Sequence, residues 1–128
     1  MQKYEVFSGD DKLIVVALRD ENNNAIDLTQ VIDMIVTVSY REQEFAKYRY
    51  DILSAEIADY DGSVEYGELK NELKFLMESE TTKKFYAGRY DVDVTLVYDI
   101  TTYPDENRKS YPNKHYILVK NGINKEII

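Results

Sequence analysis

The sequence predicts an all-β sandwich of about seven or eight strands with one short helical turn near 79–84. Two observations carry this. Apolar and polar residues alternate with period two at 32–40, 45–52 and 90–98, the spacing that sends successive side chains to opposite faces of a strand. Tyrosine, which suits half-buried sheet positions, occurs 12 times with no tryptophan. The chain has 128 residues, within the range of one domain, and a fold of that size buries roughly two-thirds of its unfolded surface. A single domain over 1–128 is expected.

The apolar run LIVVAL at 13–18 carries apolar residues on both alternating sets, as a central strand covered on two sides or one face at an inter-sheet contact would. DENNNAID at 20–27 follows as a turn, because asparagine tolerates positive φ and bonds its own backbone. From Ile32, one face holds Ile32, Met34, Val36, Val38 and Tyr40, and the other holds Asp33, Thr37 and Ser39, with Ile35 the apolar exception. Next, Ala46, Tyr48, Tyr50 and Ile52 oppose Lys47, Arg49 and Asp51, a strand with one solvated face. The Asp61-Gly62 pair in IADYDGS reads as a tight turn.

Residues 68–78 match both periods: Leu69, Leu73, Leu76 and Met77 fit a helical stripe, while Leu73, Phe75 and Met77 fit a strand. A strand at 73–77 is favoured, because SETTKK at 79–84 opens with a capping residue type and reads as a separate helical turn. Gly88 then allows a sharp turn. Beyond it Tyr90, Val92, Val94, Leu96 and Tyr98 share one face, and Asp91, Asp93, Thr95 and Asp99 the other. In β-sandwiches a tyrosine often opens such a strand with its hydroxyl bonded to upstream backbone, so Gly88 and Tyr90 are expected to form a structural corner. The polar connection at 103–113 holds both prolines and is expected to project from the body. Residues 116–119 form a last strand, and INKEII after Gly122 extends it or reaches a neighbour.

Composition excludes several functions. A formal charge of −8 without any basic stripe opposes nucleic-acid binding and anionic membrane surfaces. No apolar run approaches the length needed to cross a bilayer, and the start MQKYEVFSGDD lacks the apolar region of a secretion signal, which predicts synthesis in a cytoplasm. With no cysteine and one histidine, thiolate and multi-histidine metal sites and thiol nucleophiles are out of reach.

Asp59 and Asp61 lack the late glutamate and other ligands of a calcium loop. Asp91 and Asp93 stand about 7 Å apart along one strand face, a spacing common on solvated faces of acidic proteins. His115 reads as a surface residue at a strand end, since no nucleophile motif accompanies it. No glycine-rich nucleotide loop is present. No catalytic, cofactor-binding or metal-binding residue is therefore expected. Tyr48, Tyr50, Tyr103 and Tyr111 could stack on sugar rings or anchor a protein interface, and the interface reading is favoured.

Gly9-Asp10, Asp27-Leu28-Thr29 and above all Thr81 followed by Gly88-x-Tyr90-x-x-Asp93-Val94 carry a likeness across nearly the whole chain. In these residues the chain resembles the immunoglobulin-like β-sandwich domains of tailed-bacteriophage structural proteins, such as the N-terminal domain of baseplate upper proteins and related fibre and head-attachment modules. It departs from them in an insertion between Tyr40 and Leu73 and in the long 103–113 connection. The resemblance implies a non-enzymatic virion structural or adaptor protein, made in the host bacterial cytoplasm. It would bind other virion structural proteins in multiple copies or as a homo-oligomer. The alternative is a glycan-binding module of a phage or bacterial surface protein. Partner contacts are expected at Tyr103 and Tyr111, where paired Tyr-Pro steps restrict the connection, and at the apolar terminal Ile127 and Ile128.

Overall fold

A computed structural model describes residues 2–51, 54–99 and 108–120. Its strands in chain order are β1 (Gln2–Phe7), β2 (Lys12–Ala17), β3 (Val31–Tyr40), β4 (Gln43–Arg49), β5 (Gly62–Tyr66), β6 (Glu72–Met77), β7 (Gly88–Tyr98) and β8 (Arg108–Lys120). A single α-helical turn, α1 (Ser79–Thr82), joins β6 to β7, and 3-10 turns lie at Leu28–Gln30 and Ser54–Asp59. The protein is all-β, and the helical turn falls within the segment expected for it.

The strands lie in the order β1-β8-β7-β3-β4-β5-β6-β2. Strand β5 is where the sheet folds over. It pairs in parallel with β4 only at Gly62 and Ser63, then runs antiparallel to β6 from Val64. The two layers enclose one core, in which the Tyr48 ring of β4 meets the Phe75 ring of β6 at 4.7 Å. The ends of the order come together where the Tyr4 hydroxyl of β1 donates to the Val15 carbonyl of β2 at 2.6 Å, so the sandwich curls toward a barrel.

Strand β7 follows its sequence pattern: Tyr90, Val92, Val94 and Leu96 are wholly buried. It is hydrogen-bonded to β3 on one edge and β8 on the other. Strand β3 departs from its pattern at the start, because a bulge between Val31 and Asp33 reverses the alternation. Val31 and Asp33 are buried and Ile32, expected inside, is 53% exposed.

Strand β2 corrects another expectation. It ends the sheet order instead of lying at its centre. Ile14 and Val16 fill the core while Leu13 is 51% exposed, so its doubly apolar pattern does not mean cover on both faces. Strand β1 had no alternation strong enough to announce it and forms by parallel pairing with β8.

The expected Asp61-Gly62 hairpin turn is also corrected. Asp61 is tied to β4 by accepting from the Lys47 N–H at 2.9 Å and donating its own N–H to the Lys47 carbonyl at 2.7 Å. Gly62 then opens β5 beside β4, and a Cβ there would stand 3.2 Å from the Tyr48 ring. The chain thus crosses between layers through the turn at Ser54–Asp59.

Two of the residues that carry the family resemblance lie against the helical turn. Thr82 makes the contact: its hydroxyl accepts from the Gly9 N–H at 2.9 Å and donates to the Asp10 carbonyl at 2.8 Å. Ser79 does not cap its own turn. The Asp11 carboxylate accepts from the Ser79 N–H at 2.7 Å, which places an anion where helical N–H groups need an acceptor. At Asp27 the expected turn is present, with the carboxylate accepting from the Thr29 N–H at 2.9 Å.

A buried ion pair secures the start of β3. Asp33 accepts from Arg49 Nε at 2.7 Å and from the N–H groups of Met34 and Asp51 at 2.9 and 3.1 Å. Arg49 also donates to the Tyr60 hydroxyl at 2.9 Å. Asp33→Ala strips three donors of a buried acceptor and is expected to cost about 3 kcal/mol, measured by urea unfolding. Loss of under about 1 kcal/mol would show the pair to be replaceable by water.

Burial and the Glu72 carboxylate push the Tyr4 pKa up to about 12, against about 10 in an unfolded chain. The folded value is the higher, so this stabilisation is complete below pH 10 and is lost as the pH climbs from 10 towards 12. Tyr4→Phe is expected to cost about 1 kcal/mol at neutral pH through its lost hydrogen bond. The gap to the wild-type chain should narrow above pH 10, where only the wild type has this group to titrate. Denaturant midpoints of both chains at pH 8 and pH 11 provide the check.

Candidate functional site

Five aromatic rings gather at the end of the sandwich where the β3–β4 hairpin meets the segment between α1 and β7. Tyr40 closes β3, and Phe45 is supplied by a bulge in β4. Val38 pairs with Ala46 and Ser39 with Glu44, so Phe45 is the unpaired extra residue, re-aimed as bulges allow. Phe85 and Tyr86 follow α1, and Tyr90 rises from β7.

Gly88 makes the arrangement possible twice over. Its φ is +146°, a backbone region that side chains disfavour, and a Cβ would lie 3.2 Å from the Tyr40 ring. Tyr90 then stacks between Tyr40 at 4.9 Å and Phe85 at 4.6 Å, with Phe45 edge-on at 5.3 Å. Tyr86 leans on Tyr40 and Phe45 at 6.2 and 5.9 Å yet remains 65% exposed.

At the expected corner Gly88 opens β7 and the Tyr90 ring is wholly buried. The Tyr90 hydroxyl is buried and has no hydrogen-bond partner. Burial raises its pKa, against an opposing contribution from the Tyr86 backbone. Tyr90 is therefore held by ring packing, each such contact worth about 0.5–1.5 kcal/mol, and not by a backbone bond.

The hairpin tip above these rings is Arg41-Glu42, with φ of +51° and +68°. Two-residue hairpins need positive φ at both positions and usually meet the need with Asn and Gly. Here two long charged side chains occupy them, at a cost that backbone strain of this kind carries. The Arg41 guanidinium lies over the Tyr40 ring at 5.2 Å, within cation–π range.

On the outer face beside the tip runs a groove of about 570 Å³ lined by Thr37, Ser39, Glu42, Glu44, Asp91 and Asp93. Short hydroxyl side chains from β3 form its floor, and carboxylates from the hairpin and β7 its sides. Asp91 pairs with Arg89 at 3.5 Å. Among the described residues no group of three or more His, Cys, Asp or Glu is placed to hold a metal ion. No helix among them is long and apolar enough to cross a membrane.

The residues expected to contact partners are placed unevenly. Tyr103, Ile127 and Ile128 lie outside the described residues, as does the side chain of Tyr111. The projecting connection is corrected in its second half: 108–113 belong to β8, with Tyr111 opposite Val94. Partners of Val92 and Val94 are His115 and Tyr111, so residues 112–114 form a bulge, a place in a sheet where proline is tolerated.

His115 is buried, not at the surface, because it stands opposite the buried Val92 on the inward face of β8, in line with Ile117 and Val119. Tyr48 is wholly buried and offers no ring face to a sugar or partner. Tyr50 packs edge-on against Tyr66 at 5.1 Å. Sequence reasoning missed Tyr40, Phe45, Phe85 and Tyr86 as a unit. The available signal was FYAGRY at 85–90, three aromatic residues around one glycine.

No family model matches this chain, and no curated protein sequence matches it.

Tyr90→Phe tests the packing account. Removing an unpaired buried hydroxyl while keeping the ring is expected to leave stability unchanged or raise it by up to about 1 kcal/mol, measured by thermal and urea unfolding. A loss of 1 kcal/mol or more would mean that the hydroxyl has a bonding partner.

Proposed function

We propose that this domain is a non-enzymatic structural or adaptor protein of a tailed-bacteriophage particle and that it binds neighbouring virion proteins through its aromatic end. The resemblance carried by Gly9-Asp10, Asp27-Leu28-Thr29 and the run from Thr81 to Val94 supports the virion setting. The observation that supports a binding role for this end is the exposed Tyr86, held on a rigid shelf of rings beside Arg41. Tyrosine and arginine dominate the energetics of protein interfaces, because they bury large area at little cost in conformational entropy. Ring contacts on Tyr40 and Phe45 fix Tyr86 before any partner arrives, which lowers the ordering cost of binding.

The glycan-binding alternative draws less support, since Tyr48 is buried and Tyr50 is packed against Tyr66. Tyr50 and Tyr86 keep exposed ring surface.

The test uses particles assembled with the wild-type chain or with Tyr86→Ala, analysed by quantitative mass spectrometry. The variant is expected to fold normally and to fall at least about tenfold in occupancy, the loss of about 1.4 kcal/mol expected for one interface anchor. Normal occupancy of the folded variant places the interface elsewhere, and absence of the wild-type chain from particles sinks the virion setting.

A further inference from the structure

The outer face of the β2–β6 layer carries an apolar strip. Leu13 and Leu76 stand directly opposite each other across β2 and β6, and Val15 follows two residues on, on the same face. All three are exposed. Beside Leu13 and Leu76 lies a groove of about 460 Å³ whose walls include Ser63, Glu65, Lys74 and Glu78. Phe7, also exposed, closes β1 at the corner from which the chain turns into β2.

The chain itself supplies a cover for this strip. Lys120, the last residue of β8, stands opposite Phe7, and its carbonyl accepts from the Ser8 N–H at 2.8 Å. The segment that follows, NGINKEII at 121–128, therefore starts at the corner where the strip begins. It has no place beside β8, because β1 and β7 occupy the two edges of that strand as far as Lys120 and Val119. Asn121-Gly122 is the residue pair best suited to a tight reversal. Beyond it, residues 123–128 extend over about 20 Å, the length of the six residues of β2. Three of these residues are isoleucine, and Lys125 and Glu126 offset each other, so their side chains add no net charge to a chain that carries −8. A second copy would bring another −8 to the same face.

We infer that residues 123–128 turn back at Gly122 and lie along the strip of Phe7, Leu13, Val15 and Leu76, as a strap that the chain closes over its own second layer. Apolar side chains leave water on both sides of this contact, which drives it. The strap starts on the layer of β8 and ends on the layer of β2. It thus ties together two layers whose ladder connection is the two residue pairs between β4 and β5. The inference does not depend on the virion setting or on the aromatic end.

The chain has no cysteine, so an introduced pair reports the contact without background. Val15→Cys with Ile127→Cys in the full chain, oxidised at low micromolar concentration, is expected to form a disulfide within one chain. It should form at least about tenfold faster than in Glu5→Cys with Ile127→Cys, because a docked strap holds the first pair at high effective concentration. Equal rates overturn the inference, as does a disulfide that joins two chains.

A thermodynamic cycle gives a second measure. In the full chain Leu13→Ser is expected to lower the melting temperature by about 4 °C. In a chain ending at Lys120 the same change should shift it by less than about 1 °C, since Leu13 there already faces water. An equal drop in both chains shows that Leu13 contributes without the segment and overturns the inference.

Discussion

The inward row of β7 is the constraint on which the rest of the fold depends. Tyr90, Val92, Val94 and Leu96 are wholly buried in succession, and β3 and β8 pair with β7 on either edge. A strand so fixed dictates its surroundings. Its register with β8 draws 108–113 into the sheet, its outward row lays Asp91 and Asp93 along the groove beside Thr37 and Ser39, and its first inward residue gives the aromatic end its central ring. Apolar burial, at about 25 cal/mol per Å², makes each of these side chains a source of stability.

The second layer is attached by fewer and more polar devices. Strand β5 shares only two residue pairs with β4. The crossing between the layers is secured by Asp61 on the Lys47 backbone and by Arg49 bridging Asp33 and Tyr60. Tyr48 sits beneath this crossing with its hydroxyl buried and unpaired, close enough to Thr81 to feel it without a formed bond. Packing of its ring against Phe75 and Gly62 outweighs that cost. Where an aromatic residue fills a corner, ring volume decides the placement and the hydroxyl follows.

How much of this was legible in the sequence varies with the physical cause. Alternation exposed β3, β4 and β7 because each buries one face continuously, and the favoured strand at 73–77 matches β6. It failed at Ile32, where a bulge inverts the faces, and at 13–18, where a sheet edge tolerates exposed Leu13 and Val15. Strands β1 and β5 were invisible. Both are held by partners distant in sequence, β8 for one and β6 for the other, and their own residues alternate weakly. The corner at Gly88 and Tyr90 was readable as a turn, whereas the five-ring cluster depends on Tyr40 and Phe45, some 40 residues upstream of Phe85 and brought near only by pairing of β3 with β7.

Several of the places where this chain breaks local rules adjoin the five-ring cluster. Arg41 and Glu42 hold positive φ, Gly88 takes a conformation that excludes any side chain, Tyr90 keeps an unpaired hydroxyl in the core, and Tyr86 leaves most of a ring in water. All five residues fall at one end of the sandwich, within two short connections. Elsewhere local preference and tertiary placement mostly agree, as in the Asx-bonded turn at Asp20 and the capped turn at Asp27. Consistency of this kind is the ordinary condition of a natural sequence, and departures from it persist where a working surface compensates them. A core optimised for stability alone would place phenylalanine at 90 and asparagine-glycine at 41–42.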